Sequence, residues 1–180
     1  MSFGSPISPF DPSGENWWLK GSSGLAQQIC RVGHFLQDFR VQMRFGTLTR
    51  APLRLLRFQV KDGIAECDWI ARAQDQWDAD LPREIGKRHA SLQALKDAID
   101  IRALLFSTMP DITSARLRVY RDSPAPLREL IIVGSLRRNE SSFRSVHSLA
   151  MRAKLIGFRF CLENDLLCRL ARDEQFFMGD

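Results

Sequence analysis

The sequence lacks a hydrophobic run that could cross a membrane. Its longest apolar stretches span only a few residues, such as Leu130–Val133, whereas a membrane-spanning helix needs roughly 18 or more. The N-terminal stretch MSFGSPISPFDPSGENWW has neither the basic region nor the apolar segment of a secretory signal. We therefore expect a cytoplasmic protein, and we do not expect a membrane surface among its partners.

Metal-binding and nucleophile motifs are also scarce. The four cysteines never form C-x-x-C, and the three histidines are scattered singly, so no structural zinc spacing is present. The nucleophile elbow G-x-S-x-G and a glycine-rich phosphate loop are missing as well. We therefore predict no metal, no cofactor and no catalytic residue, and we interpret the cysteines as small buried side chains.

One acidic stretch, IAECDWIARAQDQWDADLP at residues 64–82, needs a separate explanation. Its second half carries Asp75, Asp78 and Asp80, but it lacks the glycine and the later glutamate of a calcium-binding loop. We predict a solvated loop over residues 73–90. Trp77 in this loop either folds back onto the core or marks an interaction surface.

Composition is that of an ordinary globular protein with a mild basic excess. The 180 residues are 44% hydrophobic and 26% charged, which suits a single domain with a sizeable core. The net charge is +5, and arginines outnumber lysines 21 to 5. Such an excess permits nucleic acid or acidic partners without requiring them.

The N-terminus differs in composition from the rest of the chain. Residues 1–24 are rich in glycine, proline and serine and predict an extended arm. Residues 25–172 then form a single α+β domain, and residues 173–180 form a C-terminal tail. Trp17 and Trp18 interrupt the polar arm, so we predict that they are buried against the protein's own sheet or in a partner. Together with Trp77 they are the candidate partner-binding residues.

Strands are predicted from alternating apolar and polar positions. The dipeptide Asp62-Gly63 is a strong signal for a two-residue hairpin loop, and it would place Arg57 opposite Asp68 and Leu56 opposite Trp69. The residue pair Asn164-Asp165 either turns a last hairpin or caps a short helix. The predicted strands are Phe35–Phe45, Leu53–Lys61, Ile64–Arg72, Ala115–Asp122, Glu129–Arg137 and Phe158–Leu162, with a possible bulge at Gly134.

Helices are predicted from apolar residues three and four positions apart. They cover 25–32, 92–107 and 141–156, and Gly157 closes the last one. The order of elements is therefore α-βββ-α-ββ-α-β. Strands joined by short turns are antiparallel, and helices must cover one face of the sheet, so the fold class is α+β.

One strand presents a basic face. Arg116, Arg118 and Tyr120 should point outward together, next to Arg137 and Arg138 on the neighbouring strand. A basic sheet with an aromatic residue can contact phosphates and stack a base. The alternative is a solvated face, or a face covered by another element.

Two resemblances bear on the fold. Residues 94–167, above all LIIVGSLRRNESSFRSVHSLAMRAKLIGFRFCLENDLL, resemble a BON module: an apolar strand with a glycine, a basic helix, then a glycine and a short strand. That resemblance implies an αββαβ unit that binds phospholipid or partner surfaces without catalysis. Separately, the element order over residues 22–156 resembles the type III secretion chaperone-like fold, which implies an interaction scaffold. Neither resemblance assigns a site residue.

These observations favour a protein that binds rather than catalyses. We expect a non-enzymatic protein-interaction module, an accessory subunit or chaperone-like adaptor, with a protein partner or a second copy of itself. The alternative is a nucleic-acid or ribonucleoprotein binder that uses the arginine-rich sheet face.

Overall fold

A computed structural model describes residues 17–74, 80–123, 128–138, 143 and 145–171, with side chains from residue 26 onward. Over these residues the chain forms three helices and seven strands. In chain order they are α1 (Trp17–Gln42), β1 (Arg54–Lys61), β2 (Ile64–Ile70), α2 (Arg83–Thr108), β3 (Ser114–Arg121), β4 (Glu129–Arg137), α3 (Leu149–Ile156), β5 (Phe158–Arg159), β6 (Cys161–Glu163) and β7 (Leu166–Cys168).

Five strands form one sheet in the order β1-β2-β3-β4-β5, and β6 and β7 form a separate hairpin. Neighbouring strands of the sheet are antiparallel except β2 and β3, which are parallel. The parallel pair follows from α2, which carries the chain back to the end of the sheet where β2 began. The predicted α+β class with a mostly antiparallel sheet is confirmed, and the crossover is the part that we did not predict.

The helices pack on one face of the sheet, as predicted. The residues that β2 and β3 turn toward the helices are fully buried, and they are Ala65, Cys67, Trp69, Ala115, Leu117 and Val119. Phe35 of α1 stacks on Phe58 of β1 with ring centroids 4.4 Å apart. Buried residues of all three helices belong to this same core.

Helix α1 corrects two predictions. It begins at Trp17, so residues 17–24 are helical rather than extended, and it continues to Gln42, so the strand predicted over residues 35–45 is wrong. The apolar residues of this stretch fit both a helix and a strand. Phe35, Phe39 and Met43 are four positions apart, which places them on one face of a helix and, because four is an even number, also on one face of a strand. In the helix these three are buried, whereas Val41 and Phe45 are exposed.

The hairpin between β1 and β2 turns at Asp62-Gly63, as predicted. Both residues have positive φ, 51° and 73°, as a tight two-residue hairpin loop requires. The register places Arg57 opposite Asp68, which is confirmed, but a bulge at Leu56 places Leu55 opposite Trp69 instead.

The starts of two helices and the bulge at Gly134 also differ from the predictions. Helix α2 begins at Arg83, so the acidic loop is shorter than 73–90. Helix α3 begins at Leu149, where the Ser148 side chain accepts a hydrogen bond from the Met151 amide, and it ends at Gly157 with a φ of 111°. Gly134 is not a bulge: it pairs regularly with Leu117, and a Cβ there would lie 2.7 Å from the Phe158 ring.

A buried polar network connects the two long helices. Arg72 Nε donates to Asp97 Oδ2 at 2.9 Å, and its Nη atoms donate to the main-chain oxygens of Ala51 and Met43 at 2.8 and 2.6 Å. Gln93 Nε2 donates to Asp97 Oδ1 at 2.8 Å. Burial raises the pKa of Asp97, and the charge of Arg72 and the hydrogen bonds from Gln93 and Arg72 oppose that rise. The network therefore fastens the segment that follows α1 to α2.

None of the helices in the described residues combines the length and the apolar composition that a membrane span requires.

Candidate interaction surface

The face of the sheet opposite the helices is mostly polar, although the register also places Ile64 and Val133 on it, and we call it the open face. No helix in the described part of the chain packs on it. Residue alternation and the strand register place on this face Arg57, Gln59, Lys61, Glu66, Asp68, Ser114, Arg116, Arg118, Tyr120, Ser135, Arg137 and Arg159. At one end Leu170 packs on Leu130 and Val133, with Tyr120 beside them.

A ladder of ion pairs crosses the centre of the open face. Glu66 lies 3.0 Å from Arg57 and 3.5 Å from Arg116, and Asp68 accepts a hydrogen bond from Arg118 Nε at 2.8 Å. The parallel register of β2 and β3 is the cause, because it sets Glu66 opposite Arg116 and Asp68 opposite Arg118. Arg57 and Asp68 are cross-strand neighbours, but Arg57 forms its ion pair with Glu66.

The ladder is partly withdrawn from water. The residue Asp68 is only 8% exposed. Burial would lower the pKa of Arg118, but the hydrogen bond and the charge of Asp68 outweigh it and raise that pKa. Partial burial raises the pKa of Tyr120. Arg118 is therefore held as an ionised group by Asp68, and the exposed cations Lys61 and Arg137 lie at the border of the face.

The structure separates the two predicted arginines at the end of β4. Arg137 lies on the open face opposite Ser114. Arg138 instead turns toward α2 and donates to main-chain oxygens at the end of that helix: Phe106 at 2.7 Å, Met109 at 2.6 Å and Ile112 at 2.9 Å. Arg138 is therefore a helix-capping residue rather than a member of the predicted basic surface.

Replacing Arg138 with alanine should lower the free energy of unfolding by about 1.5–3 kcal/mol, because the helix end loses charge-assisted donors. Arg137→Ala is the matched control, and we expect a change within about 0.5 kcal/mol for this surface position. Urea unfolding of both variants measures the difference. Equal effects of the two substitutions would contradict the assignment of Arg138 as a cap.

The predicted tryptophan sites are only partly covered by the structure. Trp17 and Trp18 are the first two residues of α1, but their side chains lie outside the described part of the chain. Trp77 also lies outside the described residues. Their role in partner binding stays a prediction.

Two further surface features were not predicted. A cleft of about 500 Å³ lies where β2 and β3 end, beside the first half of α2. Its lining includes Ile70, Ala90, Ile131 and Leu167, with Arg54, Lys87 and Arg121 among the lining cations. Each of these three cations has a carboxylate partner, Asp122 at 3.7 Å, Glu84 at 2.9 Å and Glu129 at 2.8 Å respectively. The cleft is therefore mainly apolar, and the charges of these cations are compensated.

The second feature is apolar exposure on and just after α1. Ile29, Val41 and Phe45 are each more than 60% exposed. Hydrophobic periodicity did not identify Val41 and Phe45 as exposed, because both fitted the strand predicted over residues 35–45, with their side chains on its apolar face.

The four cysteines differ in their exposure to solvent. Cys67 is fully buried, and burial, with a smaller contribution from the charge of Asp68, raises the pKa of its thiol far above the ordinary value. Cys67 therefore stays protonated and acts as a core side chain, as predicted. The prediction is wrong for Cys30 and Cys161, which are exposed, and Cys168 is half-buried.

No protein-family model, curated protein or solved structure matches this chain. The BON-like and chaperone-like resemblances accordingly stay predictions.

Proposed function

We propose that the protein is a non-catalytic protein-interaction module, an accessory subunit or adaptor, that binds a protein partner through the open face. The observation that supports this best is the ladder of ion pairs on a sheet face over which none of the described residues forms a helix. The ladder holds long charged side chains in fixed positions before a partner arrives, which reduces the conformational entropy that binding must offset.

The ladder favours a protein partner over a nucleic acid. The arginines of the ladder already have carboxylate partners. Arg57 and Arg116 lie 3.0 and 3.5 Å from Glu66, and Arg118 lies 2.8 Å from Asp68. A phosphate would have to compete with Glu66 and Asp68, and it would be repelled by them. A face with alternating charges suits a protein surface that carries the opposite charge at each position. A partner that places like charges against each other would bind with a less favourable free energy. Among the described residues, Tyr120 is the only aromatic residue on the open face, and it is half-buried and offers little surface for stacking bases.

A nucleic-acid partner is the second candidate, and one observation favours it. Among the described residues of the open face, six are basic and two are acidic, and Lys61 and Arg137 are exposed at its border. If these border cations contacted the phosphate backbone of a nucleic acid, the binding affinity would fall strongly as the salt concentration rises.

Charge reversal on the open face tests the proposal. The variant Lys61→Glu with Arg137→Glu changes two exposed border residues and leaves the ladder intact. The control variant Arg50→Glu with Arg88→Glu makes the same change of charge at exposed positions away from the open face. Tagged proteins are recovered from cells that naturally produce the chain, with and without nuclease, and the retained proteins are quantified by mass spectrometry.

We expect the wild type and the control to retain the same proteins after nuclease treatment, and the open-face variant to lose them at least tenfold. Equal retention by both variants would contradict binding through the open face. Loss of every retained protein on nuclease treatment would favour the nucleic-acid candidate.

A further inference from the structure

The hairpin of β6 and β7 places two cysteines, seven residues apart in the chain, directly opposite each other. Its turn residues Asn164 and Asp165 have φ values of 51° and 65°, which suit a two-residue turn that matches the twist of the strands. The register pairs Cys161 with Cys168 and Leu162 with Leu167. The hairpin alternative of the sequence analysis is therefore confirmed at Asn164-Asp165.

The two faces of this hairpin differ in character. Leu167 is 2% exposed and Leu162 packs against the main core, so one face is inward. Because side chains alternate along a strand, Cys161, Glu163 and Cys168 share the other face. Their two sulfur atoms and a carboxylate oxygen all lie within 4.8 Å of one another.

The hairpin backbone is fixed to the rest of the fold. The Leu167 amide donates to Ser91 Oγ of α2 at 3.1 Å, and Arg121 Nη1 of β3 donates to the Leu167 carbonyl at 3.1 Å. The three outward side chains therefore stand on a rigid support, as a preorganised ligand set requires.

We propose that Cys161, Glu163 and Cys168 form a surface site for a thiophilic divalent cation such as Zn²⁺, with a fourth position open to water. Zinc binds sulfur at about 2.3 Å and carboxylate oxygen at about 2.0–2.2 Å, so tetrahedral ligand atoms lie about 3.6–3.8 Å apart. The present separations, all within 4.8 Å, would have to shorten to that spacing when a cation binds, and we attribute this shortening to rotation of the side chains. Calcium and magnesium prefer oxygen-only sites, and two sulfur ligands select against them.

Binding changes the protonation of the site. As the two S–Zn bonds form, each thiol releases its proton to the buffer, and the carboxylate of Glu163 binds as an anion. This proposal replaces the prediction that the protein holds no metal. That prediction rested on short ligand spacings along the chain, whereas these ligands follow the pattern C-x-E-x₄-C and meet across a hairpin.

Cobalt substitution tests the site in the reduced full-length protein. Co²⁺ is titrated into metal-free protein while thiolate-to-cobalt charge-transfer absorption is recorded, and Zn²⁺ is then added to displace it. We expect one equivalent to bind, and we expect Cys161→Ser and Cys168→Ser to abolish the charge-transfer band or weaken binding at least tenfold. Glu163→Gln should weaken binding by about tenfold while keeping the sulfur band. Cys30→Ser changes an exposed cysteine on α1 and should bind as the wild type does.

Circular dichroism checks that each variant folds. If a cysteine variant does not fold, the loss of cobalt affinity in Glu163→Gln still tests the site. Unchanged affinity in Cys161→Ser, or the absence of a charge-transfer band in the wild type, would overturn the proposal. Peroxide-driven formation of a Cys161–Cys168 disulfide at a rate that Zn²⁺ does not slow would also overturn it and assign the pair to thiol oxidation.

Discussion

Replacing Asp97 with alanine should lower the free energy of unfolding by about 3–5 kcal/mol, because it leaves the charge of Arg72 buried without its partner. The Arg72 side chain is 0% exposed and that of Asp97 is 2% exposed, so water cannot take over the lost contact. Gln93 would also lose the acceptor of its amide group. Urea unfolding monitored by circular dichroism measures the change.

Two further variants make this prediction specific. Asp100→Ala removes another aspartate of α2, but its pair with Lys96 is 37–43% exposed, and we expect a change below about 1 kcal/mol. The double variant Arg72→Met with Asp97→Leu removes both charges together and should recover part of the lost stability. If Asp97→Ala and Asp100→Ala cost the same, the buried network does not stabilise the fold.

Replacing Trp69 with alanine should also cost about 3–5 kcal/mol, because it opens a large cavity at the centre of the core. Trp69 is 0% exposed, and its indole N–H meets no acceptor among the described residues. Trp69→Phe should therefore cost much less, since it keeps most of the apolar volume and removes an unsatisfied donor. Thermal and urea unfolding of the two variants give the comparison.

The informative quantity is the difference between the unfolding free energies of Trp69→Ala and Trp69→Phe. If Trp69→Phe destabilises the protein as strongly as Trp69→Ala, the indole N–H has a hydrogen-bond partner and the tryptophan serves more than packing.

Local signals in the sequence were sufficient for part of the fold and of the open face. The register of β1 and β2 follows from Asp62-Gly63, because a two-residue turn fixes the pairing of its strands. The outward direction of Arg116, Arg118 and Tyr120 follows from alternation alone. Both depend on residues that are close together in the chain.

The ion pairs of the open face could not be predicted in the same way. Glu66 and Arg116 are 50 residues apart and meet only because β2 and β3 are parallel neighbours. A sequence pattern indicates where strands begin and end, but it does not indicate which strands pair across a helix. Without that pairing, Arg116 and Arg118 appeared to be unpaired cations, which overstated the case for nucleic acid.

The same limit applies to the buried network and to the metal site. Polar side chains such as Gln93 and Asp97 are expected on the solvent side of a helix, yet both are buried because Arg72, 25 residues before Asp97, reaches Asp97 from just after β2. The sequence pairs Cys161 with Cys168 only if Asn164-Asp165 turns a hairpin, and that hairpin is one of two alternatives that the sequence allows. The contact that matters for the network is a tertiary one, whereas the contact between the two cysteines depends on which local structure Asn164 and Asp165 form.

Site-specific photo-crosslinking tests the central claim, that the open face binds a protein, most directly. A photoreactive phenylalanine derivative replaces Gln59, an exposed residue on the open face, or Gln37, an exposed residue on α1. Cells that naturally produce the chain are irradiated, and adducts are analysed after nuclease and after protease treatment. The account predicts a discrete, nuclease-resistant protein adduct from position 59 and none of the same mass from position 37. A nuclease-sensitive adduct from position 59, or the same adduct from both positions, would contradict it.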